Sequence, residues 1–400
     1  MSSYKYVAKD LQGKVYKGTI EASSEREARK NLRSKKLYVV SIKEASSFLK
    51  TLTYKKTVSL PELVGFTSQF ATLLRSGIIL TECLTTIANQ TDNPYFRDIL
   101  IDVRKNVDSG ISLSDAFSKY PNVFPKIFIS LVRTGEITGS LDIMLEKLSK
   151  YFDEQHELRE RVKSAITYPT IVVIAAIGIV IFLLAFVVPT FQRVYGRTNV
   201  PLPLPTRILL SIGNGVKNNL LLIFIFIIVI ILLIRFSFNQ PRVKRWWDEN
   251  KLKIPRIGRL WKEVILTRFA STFNILISSG ILITQSIEIL EDVVGNLYYA
   301  ESLQKILSGV LEGRNLSDLM EEELYTPLLK RMVLVGERSG RLDAMLDEFA
   351  KFSQREVEIQ TKRLTSVIEP MLTLFLGGVV FFIALSMYLP MFNMVNLFRR

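Results

Sequence analysis

Cysteine and histidine are almost missing from this 400-residue sequence, which has one of each, Cys83 and His156. A lone cysteine excludes an internal disulfide framework, and one histidine beside it cannot complete a Cys/His zinc cluster. Triads and dyads that need histidine have a single candidate. His156 stands in the charged stretch YFDEQHELRERVK with no nucleophile pattern nearby, so it reads as a solvated surface residue. Phosphate loops are lacking too. No G-x-x-x-x-G-K-[ST] run is present, and Gly213-Asn214-Gly215 opens a dinucleotide-like fingerprint that fails at Asn218, where the third glycine belongs. Charge itself is missing in three places: Thr170 to Gln192, Asn218 to Ile234 and Pro370 to Phe398 carry none, in a chain that is 22% charged.

A helix needs about 20 apolar residues, at roughly 1.5 Å each, to cross a hydrocarbon core of roughly 30 Å. The first and third blocks supply them. The middle block is shorter, but LLLIFIFIIVIILLI (Leu220 to Ile234) is the most apolar run in the chain, and Phe236 and Phe238 extend it if Arg235 snorkels. Three transmembrane helices are expected. The first begins too late for a signal peptide, and no other cleavable amino-terminal signal is expected before it. A transporter or channel is the alternative, but it would need polar span residues, and these spans hold no charge. An intramembrane aspartyl peptidase would need two acidic residues there, and they hold none.

The net charge of +14 is concentrated: residues 1 to 60 carry 14 basic and 5 acidic side chains, while 61 to 169 and 240 to 369 are nearly neutral. No zinc finger, RNA-binding aromatic signature or long basic helix accompanies this surplus, which favours anionic lipid over nucleic acid. Beside the spans, twelve basic residues fall on the side of the two large polar regions and six on the other, so the positive-inside rule makes those regions cytoplasmic.

The sequence also repeats itself. Shifted by 203 positions, FTSQFATLLRSGIILT (Phe66 to Thr81) lies over FASTFNILISSGILIT (Phe269 to Thr284) with eight of sixteen positions identical. The same shift sets Gly110, Leu113, Ser114 and Asp115 over Gly313, Leu316, Ser317 and Asp318. After a two-residue slip, Gly135, Glu136, Gly139, Leu141 and Asp142 fall over Gly336, Glu337, Gly340, Leu342 and Asp343. Pro169 and Pro189 bracket the first span as Pro370 and Pro390 bracket the third. A cytoplasmic domain followed by a transmembrane helix is thus present twice in parallel. The middle span is then required, because it returns the chain to the cytoplasm.

Punctuation within each unit gives about six helices. Ser59 and Glu62 have capping-box spacing, Leu63, Phe66, Phe70, Leu73 and Leu74 recur at helical intervals, and Ser76-Gly77 end the run. The last helix is expected to continue into the bilayer, with Pro169 as a kink. At the start, Tyr4, Tyr6 and Ala8 alternate, Gln12-Gly13 turn, Val15 to Ile20 and Tyr38 to Ile42 read as strands, and Ser24 to Lys36 as a helix. The fold expected is an all-α polytopic membrane protein with two homologous cytoplasmic helical-bundle domains, three transmembrane helices and a small α+β amino-terminal module. Its segments are the module (1–45), a linker (46–58), the first domain (59–168), span 1 (169–191), an external loop (192–217), span 2 (218–238), a linker (239–261), the second domain (262–368) and span 3 (369–392).

A basic amino-terminal module, a twice-present helical domain bearing SGIILT and SGILIT, VRTGEITGSLDIML and VGERSGRLDAML, and spans bracketed by prolines resemble the inner-membrane platform family of type II secretion systems and type IV pilus assembly machines. The resemblance covers essentially the whole chain. It implies a non-enzymatic scaffold of the inner membrane, oligomeric, that engages a cytoplasmic hexameric assembly ATPase, pilin or pseudopilin subunits and other inner-membrane assembly proteins. Some members are reported to bind a divalent cation in the first domain. No liganding cluster is assigned here, so neither metal nor cofactor is expected, and no catalytic residue.

The candidate contact residues are the paired turns: Gly135, Glu136, Gly139, Leu141 and Asp142, and Gly336, Glu337, Gly340, Leu342 and Asp343. One account is structural, with glycines ending a helix and each glutamate near the start of the next, where the dipole favours a carboxylate. The other is a contact surface for a partner or a neighbouring domain, because each copy keeps two carboxylates six residues apart where a turn needs one.

Overall fold

The computed structural model describes residues 2–9, 15–22, 24–34, 38–44, 57–190, 203–238, 240–255 and 257–397. The chain divides into two compact units, Met1–Val58 with Leu84–Arg104, and Ser59–Cys83 with Lys105–Arg400.

In the first unit, β1 (Ser2–Lys9) lies between β2 (Val15–Ala22) and β3 (Tyr38–Glu44), antiparallel to both. Side chains alternate across a strand, so Tyr4 and Ala8 reach one face of β1, where both are buried. Helix α1 (Glu25–Ser34) buries Ala28 and Leu32, and Tyr4, Ala22 and Ala28 share a small core with Ile42. The turn expected at Gln12-Gly13 and residues 46–56 of the linker lie outside the described residues.

Six helices follow: α2 (Leu60–Arg75), α3 (Leu80–Gln90), α4 (Pro94–Asp108), α5 (Leu113–Ser118), α6 (Lys126–Thr138) and α7 (Leu141–Phe182). Next come α8 (Leu204–Asn218), α9 (Leu220–Ser237) and α10 (Pro241–Lys253). The pattern of the first six then returns as α11 (Ile257–Ile277), α12 (Ile283–Val293), α13 (Leu297–Leu311), α14 (Leu316–Leu319), α15 (Pro327–Ser339) and α16 (Leu342–Leu397). The start of α2 is fixed by Glu62, whose carboxylate accepts the backbone N–H of Ser59 at 2.6 Å and its hydroxyl at 2.7 Å. Gly77 and Gly280 end the first helix of each copy with φ of 79° and 81°, a region open to glycine at little cost.

Aromatic rings hold each copy. Phe66 packs 5.9 Å from Phe124, and Phe117 meets Phe124 at 4.4 Å and Phe128 edge-on at 5.0 Å. In the second copy Phe269 and Phe273, the counterparts of Phe66 and Phe70, join Tyr299, Tyr325 and Phe349 in one buried cluster. Each fully buried ring of this kind contributes about 1.5 to 3 kcal/mol. The copies also touch. Leu158 on α7 packs with Val357 on α16 and with Leu260 and Val264 on α11. Beside them the Tyr151 hydroxyl bonds that of Thr272 at 2.9 Å, Lys147 Nζ donates to the Ser278 carbonyl at 2.8 Å, and Lys126 pairs with Asp292 at 2.8 Å.

Among the described residues, two helices are long and apolar enough to cross a membrane, Leu141–Phe182 and the part of α16 from Leu342 to Leu389. Each joins its domain to its apolar segment without interruption, and Pro169 sits inside α7. A π turn, Leu183–Val187, extends α7 to residue 190.

The stretch expected as an external loop differs from that expectation. Residues 192–202 lie outside the described residues, but 204–218 are helix α8, which packs on the far ends of α7 and α16. Leu209 joins Leu184, Val188 and Ile383, and the Thr206 hydroxyl donates to the Ser386 carbonyl at 2.5 Å. The loop expectation rests on the segment's place between two apolar blocks; proline is at home in a first helical turn, and Ile208, Leu209 and Ile212 recur at helical spacing. The linker expected at 239–261 likewise contains α10.

Candidate partner-contact site

The candidate residues assemble into one construction in each copy. Helix α6 ends at Gly139, whose φ of 69° is left-handed, and α15 ends at Gly340 with φ 66°. Ser140 and Arg341 then return their N–H groups to the carbonyls of Gly135 and Gly336 at 2.9 and 3.0 Å, closing the helix end. Gly135 and Gly336 do not end their helices. They sit a turn earlier, where a β-carbon would stand 2.8 Å from the Cα of Leu141 or Leu342. Only glycine lets the next helix start so close.

The two glutamates also lie elsewhere than expected. Glu136 and Glu337 belong to the last turn of α6 and α15, not to the start of the following helix. Each reaches back about twenty residues to a different helix. Glu136 accepts the N–H groups of Leu113 and Ser114 at 2.5 and 3.0 Å, and Glu337 accepts those of Leu316 and Ser317 at 2.6 and 3.0 Å. Those are orphan donors in the first turns of α5 and α14, where no helix supplies an intrahelical acceptor. A charged acceptor suits them, because aligned peptide dipoles leave positive charge at that end. The two repeated motifs, G-x-x-L-S-D and G-E-x-x-G, are therefore two halves of one fastening.

Leu342 is buried in the second core, while Leu141 is half-buried against Gly135. Asp142 and Asp343 occupy the first turns of α7 and α16. Asp343 lies near Lys147, whose pKa is nevertheless pushed down by burial, the larger effect. Asp115 adds an ion pair to Arg133 at 2.8 Å in the first copy alone. Among the described residues no group of three or more His, Cys, Asp or Glu could hold a metal ion.

One residue of this region was missed. Ile137 projects from the turn with 80% of its surface exposed. It falls between Gly135 and Gly139, off the face that buries Ile127, Phe128, Leu131 and Val132, so its phase was readable in the sequence. Its counterpart is Arg338, so the fastening repeats but the surface over it does not.

The description "Type II secretion system (T2SS), protein F" matches residues 66–189 and again 269–390, and "Type II secretion system protein F, N-terminal domain" matches 1–43. The chain is similar to the type IV pilus assembly protein PilC of Thermus thermophilus, 34% identical over 402 residues and 99% of each chain. It is similar to the type II secretion system protein F of Vibrio cholerae, 32% identical over 406 residues and 100% of each. The PilC of Myxococcus xanthus is 31% identical over 398 residues, 99% of this chain and 95% of its own. With both repeats and the amino-terminal segment matched, and relatives aligned from end to end, the chain belongs to the type II secretion system protein F family.

Proposed function

We propose that this protein is the inner-membrane platform of a type IV pilus or type II secretion assembly machine, coupling a cytoplasmic assembly ATPase to polymerisation of pilin or pseudopilin subunits. The observation that carries this is mechanical. Each repeated domain is fastened to the start of a helix, α7 or α16, that continues without a break into an apolar segment. At roughly 1.5 Å per residue, the 42 residues of α7 form a rod of about 60 Å. A displacement of the domain is passed along such a rod. The seam through Leu158, Val357 and the Tyr151–Thr272 bond makes the two rods move together.

In this proposal three helices cross the bilayer, with α9 as the second, and both large domains lie in the cytoplasm. The domains span 59–168 and 262–368, and the amino-terminal residues 1–45 form a separate module. The chain has no catalytic step of its own. Copies of the chain assemble in the membrane, anionic lipid meets the basic amino terminus, and other inner-membrane assembly proteins complete the platform.

The paired turns are part of the proposed partner surface, with Glu136 and Glu337 shaping it and Ile137 exposed upon it. Ile137→Asp separates the two roles, since it leaves the fastening untouched. Normal membrane yield with lost ATPase co-purification supports the surface. Normal yield with undiminished co-purification removes Ile137 and its turn from the interface.

A further inference from the structure

Helix α10 has two faces. One is fixed to the second domain. Asp248 is 3% exposed; its carboxylate accepts the N–H of Leu297 at 2.9 Å and pairs with Lys251, and its carbonyl accepts Asn296 Nδ2 at 3.1 Å. Arg245 adds a bond from Nε to Glu301 at 2.9 Å. With 3.6 residues per turn, the face opposite Arg245 and Asp248 carries Trp246, Val243 and Trp247, with Arg242 at one edge and Lys244, one turn before Asp248, at the other. All five are exposed, Trp246 by 62% and Trp247 by 42%. The acidic residues of α10 are spent elsewhere, Asp248 on the domain and Glu249 on Arg245 and Lys253. The outward face is therefore an aromatic stripe edged with basic residues.

That face is continuous with the membrane segment. Helix α9 ends at Ser237, α10 begins at Pro241, and Phe238 between them stacks edge-on against Trp247 with centroids 5.8 Å apart. Indoles favour the headgroup level of a bilayer, and lysine and arginine there are drawn to anionic lipid.

We propose that α10 is a membrane-surface helix whose Trp246, Val243 and Trp247, flanked by Arg242 and Lys244, seat on anionic lipid headgroups at the leaflet where α9 emerges. It rests on the reading that α9 crosses the membrane. Held to the second domain by Asp248 and Arg245, α10 then fixes the height of that domain above the bilayer.

The test uses full-length protein in nanodiscs. Trp261→Phe leaves Trp246 and Trp247 as the indoles, since the chain has three tryptophans. A second protein, with all three changed to Phe and Ile230→Trp added, reports on α9. The lipid is phosphatidylcholine with or without phosphatidylglycerol, brominated either near the carbonyls or at mid-chain. Trp246 and Trp247 are expected to be quenched more by the shallow bromines, and to lose part of that quenching without phosphatidylglycerol or with Arg242→Glu and Lys244→Glu. The Ile230→Trp protein is expected to be quenched from mid-chain throughout. If aqueous acrylamide quenches Trp246 and Trp247 and brominated lipid does not, while Ile230→Trp responds to lipid, the surface helix is wrong, its face is open to water or a protein, and the span stands. If Ile230→Trp also escapes lipid quenching, the span fails and the surface helix with it. Quenching indifferent to lipid charge and to the glutamate variants overturns the anionic preference.

Discussion

The carboxylate of Glu136 accepts the backbone N–H of Ser114 at 3.0 Å, joining the end of one helix to the start of another 22 residues earlier. Glu337 and Ser317 repeat the bond at the same length in the second copy. Glu136→Ala leaves two half-buried N–H groups without their charged acceptor, at a cost of about 2 to 4 kcal/mol. Glu136→Gln keeps the shape but turns one acceptor into a donor, and falls between wild type and alanine. Apparent melting temperature of the detergent-solubilised protein checks this order. Identical values for all three would mean the fastening has no energetic role.

The glycines of the same turns differ in kind. A β-carbon at Gly135 would meet the backbone of Leu141 at 2.8 Å, which no rotamer change relieves. Gly135→Ala is expected to cost about 1 to 3 kcal/mol by forcing the helices apart. At Gly139 there is open space, and the cost of Gly139→Ala comes from its φ of 69° alone, about 1 kcal/mol. Proteolytic resistance of the two variants, compared with Gly336→Ala and Gly340→Ala, should show the same ranking in both copies.

Tyr151 links the copies through Thr272, and burial is the main reason its pKa rises from 10.0 to about 12. Between those values the unfolded chain gives up the phenol proton while the folded chain keeps it. This contribution to stability is therefore complete below pH 10 and is lost as pH rises towards 12. Tyr151→Phe is expected to cost about 1 kcal/mol at neutral pH by removing the hydrogen bond. It should also make the loss of stability above pH 10 shallower. An unchanged alkaline profile would mean that Tyr151 ionises as readily folded as unfolded.

Topology is checked by thiol labelling in a Cys83→Ser background, Cys83 being buried and free. Thr198→Cys and Ser308→Cys should label oppositely with an impermeant reagent in intact cells. Equal labelling would contradict the crossing count.

What could be read in the sequence had a period or a fixed local spacing. The six-helix pattern was legible because its breaks fall at glycines and prolines, and the repeat because Phe66 and Phe70 stand over Phe269 and Phe273 in the two cores. The direction of Glu136 was not. Capping rules relate residues three apart, and its acceptor role spans 22 residues through a turn whose geometry only packing fixes. Helix α8 was obscured because Pro203 and Pro205 signal loops as readily as helix starts. Its docking on Leu184, Val188 and Ile383 depends on segments far along the chain. Ile137 is legible by its phase, opposite the face of α6 that buries Ile127, Phe128, Leu131 and Val132.

The proposal that this chain transmits work without doing chemistry is tested most directly by ATP turnover of the purified full-length protein in detergent, alone and mixed with the assembly ATPase of its machine. No turnover is expected from the chain alone, and a faster ATPase when the two are together. Turnover by this chain alone, abolished by a point mutation within it, would overturn the proposal, as would an ATPase rate indifferent to its presence.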